Sequence, residues 1–375
     1  MIFLANLARV VFAPLLQEFI AVFAIGEGTA GLIATLAWLG SALLRIPTGW
    51  LLTRVPRHRV ILATGAVLTG AAALTASATS VATLGVGALC MGLSSGTYFV
   101  AANPLVSELY PDRVGWALGV HGMASQIAAV AAAPLVTVVL TLAFDWRVVF
   151  VCIAVAAAIV TAALYLAARS TNLPDAGTED RDLLGAVRSE WRIVLLTVVV
   201  VGATGFVWQG LFNFYELYMR TKGVGDATAK NLLTVIFAAG VPAFFVSGRL
   251  ADRLPRVPYV LAIIAGFTAS VLLLTVTRGL VPIVALTAVI GYIVHSLFPA
   301  VDTYLLDSLP GETRASAYSW YSGGMMFVQA SGSSVVGALR ESGVAYDAIF
   351  TRLALALGVV VVALLVLYRA DRLPA

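Results

Sequence analysis

Charge is scarce in this chain: Asp, Glu, Lys and Arg fill 11% of its 375 positions, where a soluble domain carries about a quarter. So little charge cannot wet the surface of a water-borne protein of this length, which argues against a soluble globular fold. Lysine is nearly missing, present only at Lys222 and Lys230. The arginines fall in short clusters between apolar stretches rather than along one face, so the net charge of +4 is no nucleic-acid footprint. Two cysteines, Cys90 and Cys152, sit inside apolar runs and support neither a disulfide framework nor a metal site. The chain has no Gly-x-x-x-x-Gly-Lys-Ser/Thr loop, which argues against an ATP-driven pump, and no cofactor is expected. No cleavable leader is expected either, because the first apolar run outlasts a signal core and contains Arg9, Pro14 and Glu18.

What the chain has is hydrocarbon. Hydrophobic residues make up 61% of it, and the mean hydropathy is +0.97. A helix needs about 20 apolar residues to cross a bilayer core. Twelve such segments are present, near 2–24, 29–52, 60–79, 82–107, 115–141, 146–168, 192–218, 228–250, 259–277, 280–306, 314–339 and 345–368. Between the sixth and seventh, 169–191 holds eight charged residues and reads as a linker, with a short interfacial helix around Leu183–Val187. The expected domains are therefore a six-helix bundle over 1–168, a cytoplasmic linker over 169–191 and a second bundle over 192–375. Basic residues favour one side by about two to one, which predicts a multi-pass protein of the cell membrane with both termini cytoplasmic.

An internal repeat sharpens this reading. A shift of 199 places Gly49–Arg57 over Gly248–Arg256 with five of nine residues identical. The same shift aligns Gly92 with Gly291, Phe99 with Phe298 and Pro111 with Pro310, and sets Glu108 over Asp307. One offset joining several segments points to duplicated six-helix units.

With the span count and the middle loop, these residues resemble the major facilitator superfamily. The resemblance rests on the loop pattern Gly-x-x-x-Asp-Arg-x-x-Arg, met at Gly248, Asp252, Arg253 and Arg256. The first copy keeps Gly49, Arg54 and Arg57 but carries Thr53 in place of the acid. The resemblance implies an all-α membrane protein of twelve transmembrane helices in two pseudo-symmetric six-helix bundles. It further implies that this loop, with Glu108 and Asp307 as acidic partners, acts as a cytoplasmic gate.

A charge at mid-bilayer costs about 2.5–3.5 kcal/mol on insertion scales, so each one calls for a partner, a cavity or a function. Arg9 and Arg45 lie at similar depth in the first two helices, and their guanidinium forks suit carboxylate or phosphate. Substrate-binding candidates are Arg9, Arg45, His121, Gln126, Trp208, Gln209, Asn213, Tyr318, Trp320 and Gln329. Gln209, Asn213 and Glu216 recur at helical spacing beside Trp208 and Phe212, as a binding wall would. Candidates for taking up a proton are Glu18, Glu216, His295 and Asp302. Helix packing alone also accounts for many of these side chains.

The symmetry mate of Arg45 is Phe244, and the glycine- and asparagine-rich signature of nitrate/nitrite porters is missing from the fifth helix, which argues against nitrate. Gly92-Leu-Ser-Ser-Gly96 lies within one apolar helix, not at a strand–turn–helix elbow, so no hydrolase is expected. The expected function is secondary active transport of a small solute, organic or anionic, by a monomer whose two bundles rock about a midplane site. Protons are a candidate coupling ion. A drug or sugar exporter of the same superfamily is one alternative, and a non-transporting receptor or scaffold is another.

Overall fold

The protein is described by a computed structural model over residues 1–171, 173, 183–251 and 253–373; the side chains of 114, 115, 245, 306, 307, 311, 312 and 315 lie outside the description. The described residues are almost entirely helical. The first span is broken. Helix α1 (Ile2–Val10) ends, a 3-10 turn covers Ala13–Leu15, and α2 (Leu16–Phe23) resumes at 43°. Pro14 explains the break, because its ring has no N–H for the carbonyl of Val10 and crowds it. The second span divides into α3 (Glu27–Leu43) and α4 (Arg45–Leu51). Pro47 stands four residues beyond Leu43 and has the same effect there. Then follow α5 (Arg57–Ala76), α6 (Val81–Leu109), α7 (Val114–Thr141) and α8 (Arg147–Ser170).

A short helix α9 (Leu183–Ser189) precedes α10 (Trp191–Asn213) and α11 (Tyr215–Thr221), which together form the seventh span. Helices α12 (Asp226–Ala251), α13 (Arg256–Val276), α14 (Leu280–Ser308), α15 (Gly311–Glu341) and α16 (Tyr346–Arg369) complete the chain. Among the described residues, ten helical spans are long and apolar enough to cross a membrane, and the bent α1–α2 pair makes an eleventh. The twelfth is α15, which has the length at 31 residues but carries a serine- and glutamine-bearing face that lowers its hydropathy.

The helix bounds repeat the 199-residue offset. Glu27, Arg57, Val81 and Arg147 open helices in the first half; Asp226, Arg256, Leu280 and Tyr346 open them in the second. The break before Leu16 recurs before Tyr215.

By contacts the chain forms two compact units. One comprises Met1–Ile25 and Leu32–Arg181, the other Gly26–Gly31 and Asp182–Ala375. In the first, α5 packs on α6 and α8, and α1 on α6 and α7. In the second, α13 packs on α14 and α16, α10 on α15, and α12 on α14.

Glycine permits the closest approaches. A Cβ on Gly92 would lie 2.1 Å from the Ala37 carbonyl oxygen, and one on Gly291 would lie 2.3 Å from that of Ile236. These two contacts are the same contact in each copy, since 37 and 92 become 236 and 291 under the shift. Helix backbones therefore touch there, as small residues allow in lipid.

Candidate functional site

Each unit carries a buried polar cluster, and the repeat makes the two comparable. In the first unit, Arg9 on α1 is 8% exposed. Its Nη2 donates to Asn6 Oδ1 at 2.6 Å and its Nη1 to Ser41 Oγ at 3.2 Å. Asn6 is itself oriented, because its amide nitrogen donates to the Ser125 carbonyl at 2.8 Å. The rings of Trp38 and Phe99 each lie 4.7 Å from the guanidinium carbon. Among the described residues no carboxylate pairs with Arg9, and Nε has no hydrogen-bond partner. The charge that acts on it is that of half-buried Arg45, a like charge. Two aromatic faces offset part of the cost of this buried cation, about 0.5–2 kcal/mol each; an anion would offset far more.

Close to this cluster, Tyr98 Oη and His121 Nε2 lie 3.0 Å apart. Gln126 is half-buried on α7.

Under the shift, Arg9, Trp38, Arg45 and Phe99 become Trp208, Phe237, Phe244 and Phe298. The second unit has therefore replaced the cationic cluster with an aromatic one, and His295 on α14 occupies it. The His295 ring centroid lies 5.7 Å from Trp208, 5.5 Å from Phe237 and 5.9 Å from Phe244. Its Nδ1 is 2.7 Å from the Gly291 carbonyl, which makes Nδ1 the donor and leaves Nε2 an acceptor.

One turn along α10, the Asn213 amide nitrogen donates to Ser333 Oγ at 2.8 Å and approaches Gln209 Oε1 at 3.2 Å. Asn213 Oδ1 is buried with no hydrogen-bond partner among the described residues. Gln329 donates to Met325 Sδ at 3.0 Å and packs over Gly205.

The other candidates lie elsewhere. Glu216 is buried beside Arg220 at 2.8 Å and Lys230 at 3.9 Å, in an ion-pair network that reaches Asp226. Asp302 accepts from Tyr318 Oη at 3.3 Å. Trp320 donates its indole N–H to the Leu183 carbonyl at 2.8 Å and so ties α15 to the linker helix. Glu18 is half-buried on α2 with no hydrogen bond or ion pair among the described residues.

In the loop motif, Arg57 meets Glu108 at 2.7 Å. Arg54 stacks on Trp50 at 3.9 Å, and Thr53 donates to the Trp50 carbonyl at 2.8 Å. In the second copy Arg253 and Arg256 are exposed, as is Arg249 next to Gly248, while Asp252 and the Asp307 side chain lie outside the described residues.

The sequence reading passed over Phe99 and Phe237 as aromatic partners and Ser333 as a polar one. Ser333 had a signal, four residues from Gln329 on the same helix face. The aromatic partners had none, because direction round a helix is set by packing.

Two copies of one helical pattern, buried polar clusters and lipid-length spans define a polytopic membrane protein built by duplication. Residues 1–280 and 205–375 each match the model of the Major Facilitator Superfamily, and the chain belongs to that family. It is 25% identical over 266 residues to the ectoine/proline transporter ProP of Corynebacterium glutamicum, a match covering 61% of this chain and 51% of the relative. The chain thus spans about half the length of the curated relative it matches.

Its fold is similar to that of a bacterial homolog to the human lysosomal transporter Spinster in an inward-facing, unoccupied conformation. The TM-score is 0.75 at 18% identity, covering 99% of this chain and 94% of that one. A POT family transporter in complex with a thioalcohol-conjugated peptide is similar with a TM-score of 0.79 at 13% identity, covering 98% and 95%.

Proposed function

We propose that this protein is a secondary active transporter that carries a small carboxylate-bearing solute across the cell membrane by alternating access. The observation that supports this most is Arg9, a buried guanidinium at membrane depth with, among the described residues, an unused Nε donor and no acid beside it. Such a group is costly for folding alone and is suited to an anion, which guanidinium binds through paired donors. The named solutes of the ProP relative, ectoine and proline, both carry a carboxylate, which agrees with this reading.

The bundles 1–168 and 192–375, joined by 169–191, act as the two moving bodies, and the arginine bias supports a cytoplasmic position for both termini. Arg57 with Glu108 holds the cytoplasmic side of the first bundle together. His295, whose Nε2 is an acceptor, and Glu18 are the groups proposed to take up the coupling proton. The working unit is a monomer.

The test is uptake into proteoliposomes of labelled proline and of its amide, which lacks the carboxylate, with wild type and Arg9→Gln. The expected result is uptake of the acid only, reduced at least about tenfold in the variant, as loss of a charged hydrogen-bond partner implies. Equal uptake of acid and amide, or full retention by Arg9→Gln, sinks the carboxylate reading and favours a drug or sugar exporter. Binding without any flux favours a receptor.

A further inference from the structure

Away from these clusters, a cavity of about 590 Å³ opens at the end of the second unit where α13 stops and α16 starts. Thr275, Arg278, Asp347, Thr351 and Arg352 supply its polar lining, and Val276 its rim. Asp347 is fully engaged: Lys222 Nζ lies at 3.0 Å, Arg278 Nη2 at 2.8 Å and Tyr218 Oη at 2.5 Å. Arg352 has no hydrogen bond or ion pair among the described residues. Two arginines (Arg278, Arg352) against one carboxylate give the lining a net charge of +1, and buried Lys222 stands behind Asp347 as a further cation.

Arg352 is the seventh residue of α16, so it sits about 9 Å below the helix start at 1.5 Å per residue. That depth is where the headgroup layer meets hydrocarbon, and a guanidinium there snorkels toward phosphate. Below it on the same helical face, Leu355, Val359, Val362 and Val366 are 56%, 70%, 61% and 60% exposed. The adjoining face of α13 shows only small side chains, Ala262, Ala265 and Ala269, beneath Leu273 and Val276. A basic pocket thus stands directly above an apolar track with a shallow wall on one side.

We infer that the α13–α16 edge is a binding site for an anionic phospholipid. Its phosphate lies between Arg278 and Arg352, and an acyl chain runs along the Leu355–Val366 face. A free phosphate would meet the same two arginines but would gain nothing from the apolar track. This site is independent of the transport reading and of Arg9.

The experiment is a thermal-shift titration in neutral detergent with phosphatidylglycerol, with phosphatidylcholine and with inorganic phosphate. It uses wild type, Arg352→Gln and the double variant Arg278→Gln/Arg352→Gln. Because Arg352 has no hydrogen-bond or ion-pair partner among the described residues, its substitution leaves the unliganded melting point unchanged and keeps the test valid if the double variant folds poorly. The expected outcome is a rise with phosphatidylglycerol alone, with apparent affinity about tenfold weaker in Arg352→Gln, the loss of one charged contact. Equal responses of wild type and Arg352→Gln to phosphatidylglycerol overturn the proposal. So does a response to inorganic phosphate as large as that to the lipid.

Discussion

Gly240 stands against the ring of His295: a Cβ at that glycine would lie 2.7 Å from the imidazole. Under the 199-residue shift this pair corresponds to Ser41 and Gly96, where the glycine is on the other helix and a Cβ on it would lie 2.2 Å from the Ser41 carbonyl oxygen. Both copies keep one small residue at the crossing but on opposite sides of it. The exchange makes room for an imidazole in one copy and for a hydroxyl bound to Arg9 in the other.

A graded series of alanine substitutions follows from these distances. Gly92→Ala and Gly291→Ala push a methyl into a facing backbone carbonyl, which cannot swing away, and each is expected to cost about 1–3 kcal/mol. Gly240→Ala meets a side chain that can turn, so its cost falls at the lower end of that range while the His295 ring shifts. Gly119→Ala, with nothing within 4 Å, is the neutral control. Melting points in one detergent rank the four, and Gly119→Ala behaving like Gly92→Ala would contradict the ranking.

Arg9→Met separates function from folding. Replacing a buried cation that has no acidic partner among the described residues by an apolar chain of similar length removes a desolvation cost and gives up the two aromatic contacts. The expected melting point is equal to or above wild type, with carboxylate uptake lost. A large fall in melting point would instead make Arg9 a structural tie between α1 and α3.

Arg57 and Glu108 are 12% and 32% exposed, so their 2.7 Å ion pair is partly screened. A double-mutant cycle with Arg57→Gln and Glu108→Gln is expected to give a coupling of about 0.5–1 kcal/mol. A coupling of zero would show that the contact contributes nothing to stability.

Lys222 gives a pH dependence with a defined sign. Burial holds its ammonium below the ordinary lysine range, and Asp347 only partly opposes this. Between the lowered value and the ordinary one, the unfolded chain binds more protons than the folded one, so stability rises with pH across that window. Lys222→Met removes the rise and leaves Asp347 held by Arg278 and Tyr218. Melting points from about pH 8 to about pH 10 compare the two proteins; parallel curves would count against the assignment.

Much of this was legible in the residues. Apolar runs of bilayer length located every spanning helix, and acids at neighbouring helix ends anticipated Arg57 with Glu108. The sequence was silent where backbone direction decides. No proline stands four residues after the α10 break at Phe214 to announce it, as Pro14 and Pro47 announce theirs. Trp320 has an aromatic, polar-tipped side chain suited to a binding wall, yet it is held by the linker helix. The shift paired Arg45 with Phe244 and Phe99 with Phe298 but did not show these positions gathering into a cationic cluster in one unit and an aromatic one in the other, since Arg9 and Trp208 share a position but no chemistry.

The recurring helix bounds bear on how this chain tolerates change. The connections 142–146 and 52–56 each hold five residues, and their twins 342–345 and 252–255 each hold four. Lengthening one member of such a pair by many residues would turn a one-residue difference into widely unequal tethers between equivalent rods. A reporter domain therefore belongs in the stretch after Ser170, which no second copy has to mirror.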